Sequence, residues 1–452
     1  MFESDRQELL ESSLWKPLDK CLGYIEAGDY YDAEGTTRSP YYKRDYLPDT
    51  EVEDWLSQSG RFATDARCSL RVLMCERLDF ERLGFAMSKR SFLSAETTFG
   101  LPPEVLPILN LHRGQYYSNI MWNNADDNES MSSIAVTIKV PQMMELGNFG
   151  LSLTHILKSG TTVALIHGWN MWTNTLPNGN RVEPHHMRIE KLIKSTHSLW
   201  THPLLLPLVF LREHLSRADM QSSKLSREVQ AIERNLGIER TGRLAMIDIG
   251  VTDQMKQLFG QEEKRTGLMS ELTSASTDVS NVTRVLKWDK ECIQFLHQVK
   301  GQIDKCHGRS AIALDSELSS LIQFMYCHVE SAGNFTGFLH SRLETELNVL
   351  YNLIAHTNAE LNLRIASTTG LDSAAMKTLT FVTIAFLPAT FIATLFSMPM
   401  FDWESDGKET ISPNFWIYWV VSIPLTLITA GGWRVWWHYQ KIYHASMFKT
   451  GD

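Results

Sequence analysis

Seven residues of one short stretch, Met376, Leu379, Thr383, Leu387, Thr390, Thr394 and Ser397, follow one another at steps of three and four. On an α-helix such steps bring side chains to one face. This face is the polar one, because Phe381, Ile384, Phe391, Ile392 and Leu395 fall elsewhere. A stripe of hydroxyls in an otherwise apolar helix implies a surface turned to water or to protein. Equally, the threonines bond back onto their own helix or lie at a helix–helix contact. Pro388, inside the stretch, kinks the helix or leaves a carbonyl free, which is tolerable only where neighbours resolve it. Just beyond, Asp402, Glu404, Asp406 and Glu409 stand against a single Lys408. Acids at that density raise the local cation concentration, or they form a solvated hairpin whose acidity only satisfies topology.

The element that must carry this stripe is a membrane span. From Thr378 to Phe401 there is no Asp, Glu, Lys or Arg, and the same holds from Thr410 to Trp433. About 20 apolar residues at ~1.5 Å each cross a hydrocarbon core, so both runs suffice. The apolar patch Pro203 to Leu211 is too short and is closed by Arg212. Two spans from one chain cannot enclose a pore, so a conducting reading also requires an oligomer. Arg364 and Lys377 precede the first span, and Arg434, Lys441 and Lys449 follow the second. Basic flanks stay in the cytosol, so both termini are expected there with the acidic loop outside. Trp403, Trp416 and Trp419 mark one interface, and Trp433, Trp436, Trp437 and Tyr439 the other.

The expected organisation is a cytosolic α/β domain over 1–202, a helical region over 203–309 and a long stalk helix over 310–377. A first transmembrane helix over 378–401, an outer acidic loop over 402–412, a second transmembrane helix over 413–435 and a basic cytosolic tail over 436–452 complete it. The fold class is thus α+β at the N-terminus and predominantly α over the whole chain. Ser133 to Val140 alternates and Thr161 to His167 is a short β-branched run, as strands of a half-buried sheet would be. In the stalk, Leu343, Leu347, Leu350, Ile354, Thr357 and Leu361 alternate steps of four and three. That is coiled-coil spacing, weakened locally by Gly333, Gly337 and Gly370. Leu272, Val279, Val282, Leu286, Ile293 and Leu296 show a similar period. A pair of long antiparallel helices feeding into the first span is expected.

The run Met376-Lys-Thr-Leu-Thr-Phe, followed by Phe386-Leu-Pro-Ala-Thr-Phe-Ile-Ala-Thr-Leu-Phe-Ser-Met398, resembles the first transmembrane helix of the CorA metal-ion transporter superfamily, in its fungal-type branch. The resemblance spans roughly Leu361 to Trp437, is architectural over the stalk and faint over residues 1–200. It implies a homopentamer, a pore lined by the first span and passive influx of a divalent cation, Mg²⁺ by default. It also implies that Met376, Leu379 and Leu387 match hydrophobic constrictions, which gate by dewetting, and that Thr390 matches a hydroxyl ring contacting hydrated ions. The family's Gly-Met-Asn signature falls on Ser397, Met398 and Pro399, so only the Met is kept. Mg²⁺ dehydrates reluctantly and suits an outer-shell filter, yet Pro399 has no side-chain carbonyl. The mouth is instead expected to use the Ser397 hydroxyl and the helix-end carbonyls of Thr394 and Leu395, which carry partial negative charge. Alternatives are a transporter of Zn²⁺, Co²⁺ or Ni²⁺, and a non-conducting membrane-tethered sensor or scaffold.

Elsewhere the chemistry is thin. Net charge is −9, which argues against nucleic-acid binding. The cysteines have no paired spacing and read as reduced thiols. The opening MFESDRQELLESSLWK is acidic and lacks an apolar core, so the large domain is expected not to be translocated. The plasma membrane and the vacuolar membrane both remain open. His185, His186, His197, His202 and the pair Cys306-His307 lack the carboxylate or thiol spacing of a metal site. By the resemblance, Asp289, Asp304, Asp315 and Glu317 are candidates for regulatory cation binding between subunits, although most acids on a helix are simply solvated. No phosphate loop, nucleophile elbow or zinc-protease helix occurs. No enzyme and no cofactor are expected, and the partners are divalent cations, the lipid bilayer and further copies of the chain.

Overall fold

The computed structural model describes residues 2–31, 38–123, 130–173, 183–236, 262–306, 312–398 and 415–447. In chain order these form α1 (Phe2–Ser12), β1 (Leu14–Trp15), β2 (Leu22–Tyr31), β3 (Arg38–Tyr46), α2 (Val52–Leu56), β4 (Arg67–Glu76), β5 (Gly84–Phe85), α3 (Lys89–Phe99) and α4 (Val105–Leu109). The strands β6 (Gln115–Asn123), β7 (Ser130–Lys139), β8 (Phe149–Ile156) and β9 (Thr161–Gly168) follow. Helices α5 (His185–Ser195), α6 (Leu205–Asn235), α7 (Glu262–Cys306), α8 (Ile312–Phe396) and α9 (Trp416–Met447) complete the chain. Two compact units emerge, Met1–Leu350 and Tyr351–Asp452.

The first unit is built on a seven-stranded sheet of order β3-β2-β4-β9-β8-β7-β6. Only β4 and β9 run parallel, with Val72 opposite Ala164; the remaining pairs are antiparallel. Alternate residues of β2, β4 and β9 pack one face against α1 to α4, around Trp55, Phe92 and Phe99. On the other face Phe149 meets His185 of α5 and Phe210 of α6. The half-buried sheet expected from Ser133–Val140 and Thr161–His167 is therefore corrected: β9 is buried from Thr162 onward and β7 from Ile134 onward. Helices cover both faces, so both sets of alternating side chains are buried, and the polar ones among them, such as Thr137, Lys139 and Ser152, find hydrogen-bond partners. Helix α3 shows local control of an element boundary. Ser88 caps its first turn by accepting from the Ser91 N–H, and Gly100 ends it at φ +59°, a left-handed conformation suited to glycine.

The helices of the first unit form a bundle. Buried positions Leu318, Ile322, Met325, Val329, Leu339, Leu343 and Leu350 make one seam along α8, and Leu272, Val279, Val282, Leu286, Ile293 and Leu296 one along α7. Asp219–His328 and Glu233–Arg342 join α6 to α8 at one constant offset, so these two helices run parallel. Lys290 of α7 meets Glu330, whereas Ile293 and His297 line a groove with Ile322 and Tyr326, so α7 runs antiparallel to α8. Gly333 and Gly337 do not interrupt α8, and neither does Gly370.

The second unit holds the rest of α8 and α9. Past Leu350 the α8 seam is less covered by the described residues: Ile354 and Thr357 are half-buried, and Leu361 is 54% exposed. Both helices are long and apolar enough to cross a membrane. Helix α9 begins at Trp416 and continues to Met447, so residues 436–447 are helical.

A candidate pore-lining face

In hydrocarbon, backbone polar groups must be satisfied inside the helix, and so must side-chain hydroxyls. The stripe on α8 obeys this. Thr383 donates to the Leu379 carbonyl at 2.8 Å, Thr390 to Phe386 and Leu387 at 3.0 Å, Thr394 to Thr390 at 2.6 Å and Ser397 to Thr394 at 3.0 Å. Each hydroxyl spends its one proton on its own helix and keeps its acceptor lone pairs for the outside. The back-bonding that the sequence left open is thus present, and the oxygens of the stripe keep acceptor capacity for water or a cation.

Its position on the helix is equally specific. At about 100° per residue, the stripe lies opposite Ile384, Pro388, Ile392 and Leu395. Pro388 and Ile392 are buried, and Ile384 and Leu395 are half-buried. The Tyr418 hydroxyl of α9 donates to the Ala389 carbonyl on that same covered side at 3.2 Å. Met376 is 64% exposed, and Leu379, Thr383, Leu387, Thr390, Thr394, Ser397 and Met398 are exposed with it. One side of α8 is taken by the chain's own second helix, and the stripe lies on the open remainder, which it shares with the exposed Phe381, Phe386 and Phe391.

At the C-terminal end of α8 the carbonyls of Thr394 and Leu395 take partners other than the usual backbone N–H four residues on. Thr394 accepts from the Ser397 hydroxyl, and Leu395 accepts from the Met398 N–H at 3.2 Å. The last turn tightens to three-residue bonds, and a side chain supplies the rest. Pro399, Asp402, Glu404, Asp406 and Glu409 lie outside the described residues.

Several of the histidines and one stalk acid resolve into buried pairs within the first unit. His185 Nδ1 lies 3.0 Å from Glu213, which also accepts from Arg217 at 2.6 Å. Burial first, and then the Arg217 charge, push the His185 imidazole down to about 4. His186 bonds the Met171 carbonyl and is lowered by burial, and His197 sits 3.3 Å from Asp29. Asp289 is buried 2.7 Å from His214 Nδ1, with its carboxyl raised by burial. It belongs to the bundle core rather than to a solvated subunit face. Asp304 pairs with Lys300 at 2.6 Å, and Glu317 is exposed. The side chains of Asp315, Cys306 and His307 lie outside the described residues. Among the described residues no three His, Cys, Asp or Glu side chains gather as a metal would require. Glu213, His214, Asp219, His328 and Tyr418 carry no local sequence signal, because each is defined by a distant partner.

Residues 203–436 match the family model described as CorA-like Mg²⁺ transporter protein. The Notoamide biosynthesis cluster protein M′ of Aspergillus versicolor is 42% identical over 59 residues, 13% of this chain and 13% of that protein. The match thus spans well under two thirds of that relative. The ZntB cytoplasmic domain of Vibrio parahaemolyticus superposes at TM-score 0.38 with 8% identity, over 75% of this chain and 99% of that one. The full-length CmaX protein superposes at 0.35 with 11% identity, over 82% and 88%. The CorA magnesium transporter of Methanocaldococcus jannaschii superposes at 0.31 with 14% identity, over 91% and 97%.

Proposed function

This chain belongs to the CorA-like Mg²⁺ transporter family, and from that premise we propose that it forms a homopentameric pore passing a divalent cation, Mg²⁺ by default, into the cytosol. The observation that carries the reading is the placement of the hydroxyl stripe. Thr383, Thr390, Thr394 and Ser397 stand on the side of α8 opposite its own hairpin partner, with their protons turned inward and their lone pairs outward. Copies of such a helix around an axis present rings of neutral oxygen, which suit a cation that keeps its water shell. Met376, Leu379 and Leu387 interleave apolar rings that close the path by dewetting.

Entry needs no nucleotide: a potential of about −100 mV favours a double positive charge by ~4.6 kcal/mol, at ~2.3 kcal/mol per unit charge. The acids Asp402, Glu404, Asp406 and Glu409, about twenty carboxylates in a pentamer, would concentrate cations at the entrance. Pro399 in place of the signature Asn moves the work at the mouth to Ser397. It also favours the second reading, a non-conducting sensor or scaffold on the same fold. Both termini are assigned to the cytosol by the basic flanks.

The deciding experiment is cation uptake into proteoliposomes holding a Mg²⁺-sensitive dye, with Thr390→Phe as the blocked control. Uptake at least tenfold above the control is expected. Silence with Mg²⁺, Zn²⁺ and Co²⁺, in verified pentamers, would replace the pore by the scaffold; uptake of Zn²⁺ or Co²⁺ alone would change the ion.

A further inference from the structure

Pro388 has no N–H, so the carbonyl of Ile384, four residues earlier, has lost its helical partner. Helices bend at such joints. The residue immediately after the joint is Ala389, and its carbonyl accepts the Tyr418 hydroxyl of α9 at 3.2 Å. Tyr418 is half-buried on a face of α9 that also carries Ser422, one turn on and buried. Facing it, α8 offers Pro388 and Ile392, both buried. A half-buried phenol hydroxyl usually finds a hydrogen-bond partner, and this one takes the carbonyl beside the helix break. The bond divides α8 unequally. The C-terminal half, with Thr390, Thr394 and Ser397, is tied to α9. The N-terminal half, with Met376, Leu379, Thr383 and Leu387, lies across the joint from the tie and meets α9 through a looser contact, Lys377 Nζ 5.7 Å from the Trp437 ring centre.

We infer that Tyr418 is a positioning residue: its bond to Ala389 latches the C-terminal half of the first span to the second span, holds the Thr390, Thr394 and Ser397 hydroxyls at a fixed radius, and confines bending at Pro388 to the N-terminal half. The latch stands whether or not the pore conducts; its consequence for selectivity rests on the pore reading above. A ring of hydroxyls discriminates hydrated cations only while its radius is held. A gate made of the apolar side chains must move, and the proline joint lets it move without disturbing the ring.

Tyr418→Phe removes one oxygen and keeps the aromatic ring. It should be compared with wild type in the full-length chain, reconstituted in nanodiscs for hydrogen–deuterium exchange and in liposomes for flux. Exchange of the amides from Thr390 to Phe396 should quicken about threefold, the population shift that an interhelical hydrogen bond of average strength in a membrane allows. Amides from Met376 to Ile384 should not change. Mg²⁺ over K⁺ selectivity should fall by about threefold, with the oligomer's elution volume unaltered. Ser422→Ala, on the same face, should alter neither readout. Unchanged exchange from Thr390 to Phe396 overturns the latch. An equal rise in both segments makes Tyr418 a general packing residue and overturns it too. A conducting wild type whose selectivity Tyr418→Phe leaves alone overturns the positioning role. Should wild type prove as silent as Thr390→Phe, the pore reading falls while the exchange data still decide the latch.

Discussion

The two units treat polar and apolar groups in opposite ways. The first buries charge: Glu26 lies against Arg71, Glu213 against Arg217 and His185, and Asp289 against His214. Lys139 is fully buried with its Nζ on the Val140 carbonyl at 2.8 Å. The second unit turns its hydroxyls back onto its own backbone and puts large apolar side chains outside, Leu371 on α8 and Leu427 and Ile428 on α9 among them. A unit that buries ions has enough core of its own to exclude water around them. A unit that exposes leucine along two helices long and apolar enough to cross a membrane takes its apolar surroundings from lipid.

Truncating one large side chain in each unit tests that contrast most strongly. Trp55 is 0% exposed, touches Tyr24 and Phe99, and stacks under the Arg71 guanidinium at 4.6 Å. Trp55→Ala should cost about 3–5 kcal/mol, read as a drop in the urea midpoint of the near-ultraviolet transition. Leu427→Ala should leave that midpoint where it is. Equal losses would mean that the second unit has an internal core after all.

Lys139 sharpens the comparison from the other side. Burial, and then the Arg77 charge, push its ammonium down to about 7. Its folded value is depressed, so the fold favours the neutral amine. Below pH 7 the folded protein carries a buried charge at full cost, and stability recovers as pH rises from about 7 towards the ordinary lysine range. Lys139→Met should therefore stabilise on the order of 2 kcal/mol at pH 7, with the gain shrinking by pH 10. Melting temperatures at both pH values check it; a loss at pH 7 would show a partner for the ammonium that outweighs burial.

The smallest effect is the response of the first unit to acid. His167, His185 and His186 are all lowered, chiefly by burial. Their contribution is complete above about pH 6.5 and is lost as pH falls towards 4, because the unfolded chain takes up protons first. Glu76, raised to about 7 by burial against bonds from Trp172 and Thr173, runs the other way: its contribution is full near pH 4.5 and lost as pH rises through 7. Three histidines against one carboxyl leave a net loss on the order of 1 kcal/mol between pH 7 and 5. Near-ultraviolet unfolding should report it, while helical signal from the lipid-embedded second unit stays constant. A rise in stability on acidification would make Glu76 the dominant group.

How far the sequence reaches follows from the range of the forces involved. A charge-free run of 24 residues is a local statement about transfer into hydrocarbon, and the seams of α7 and α8 are local statements about helix period. Those features, and the hydroxyl stripe on one face of α8, are therefore legible in the sequence alone. Two of the strands, β7 and β9, were legible too, but not their double-sided burial, since a run such as Thr161–His167 does not say what covers its second face. Asp289 looked like any solvated helix acid until a histidine 75 positions away closed on it. Tyr418 looked like one more interfacial aromatic until it met Ala389 across the hairpin. Spans, periodicity and the polarity of each face were determined by neighbours in sequence, where helix geometry and solvent preference act. Which face of α8 is covered and which stays open, and which buried charges meet, was decided only by tertiary structure, because those energies depend on groups that the chain brings together from far apart.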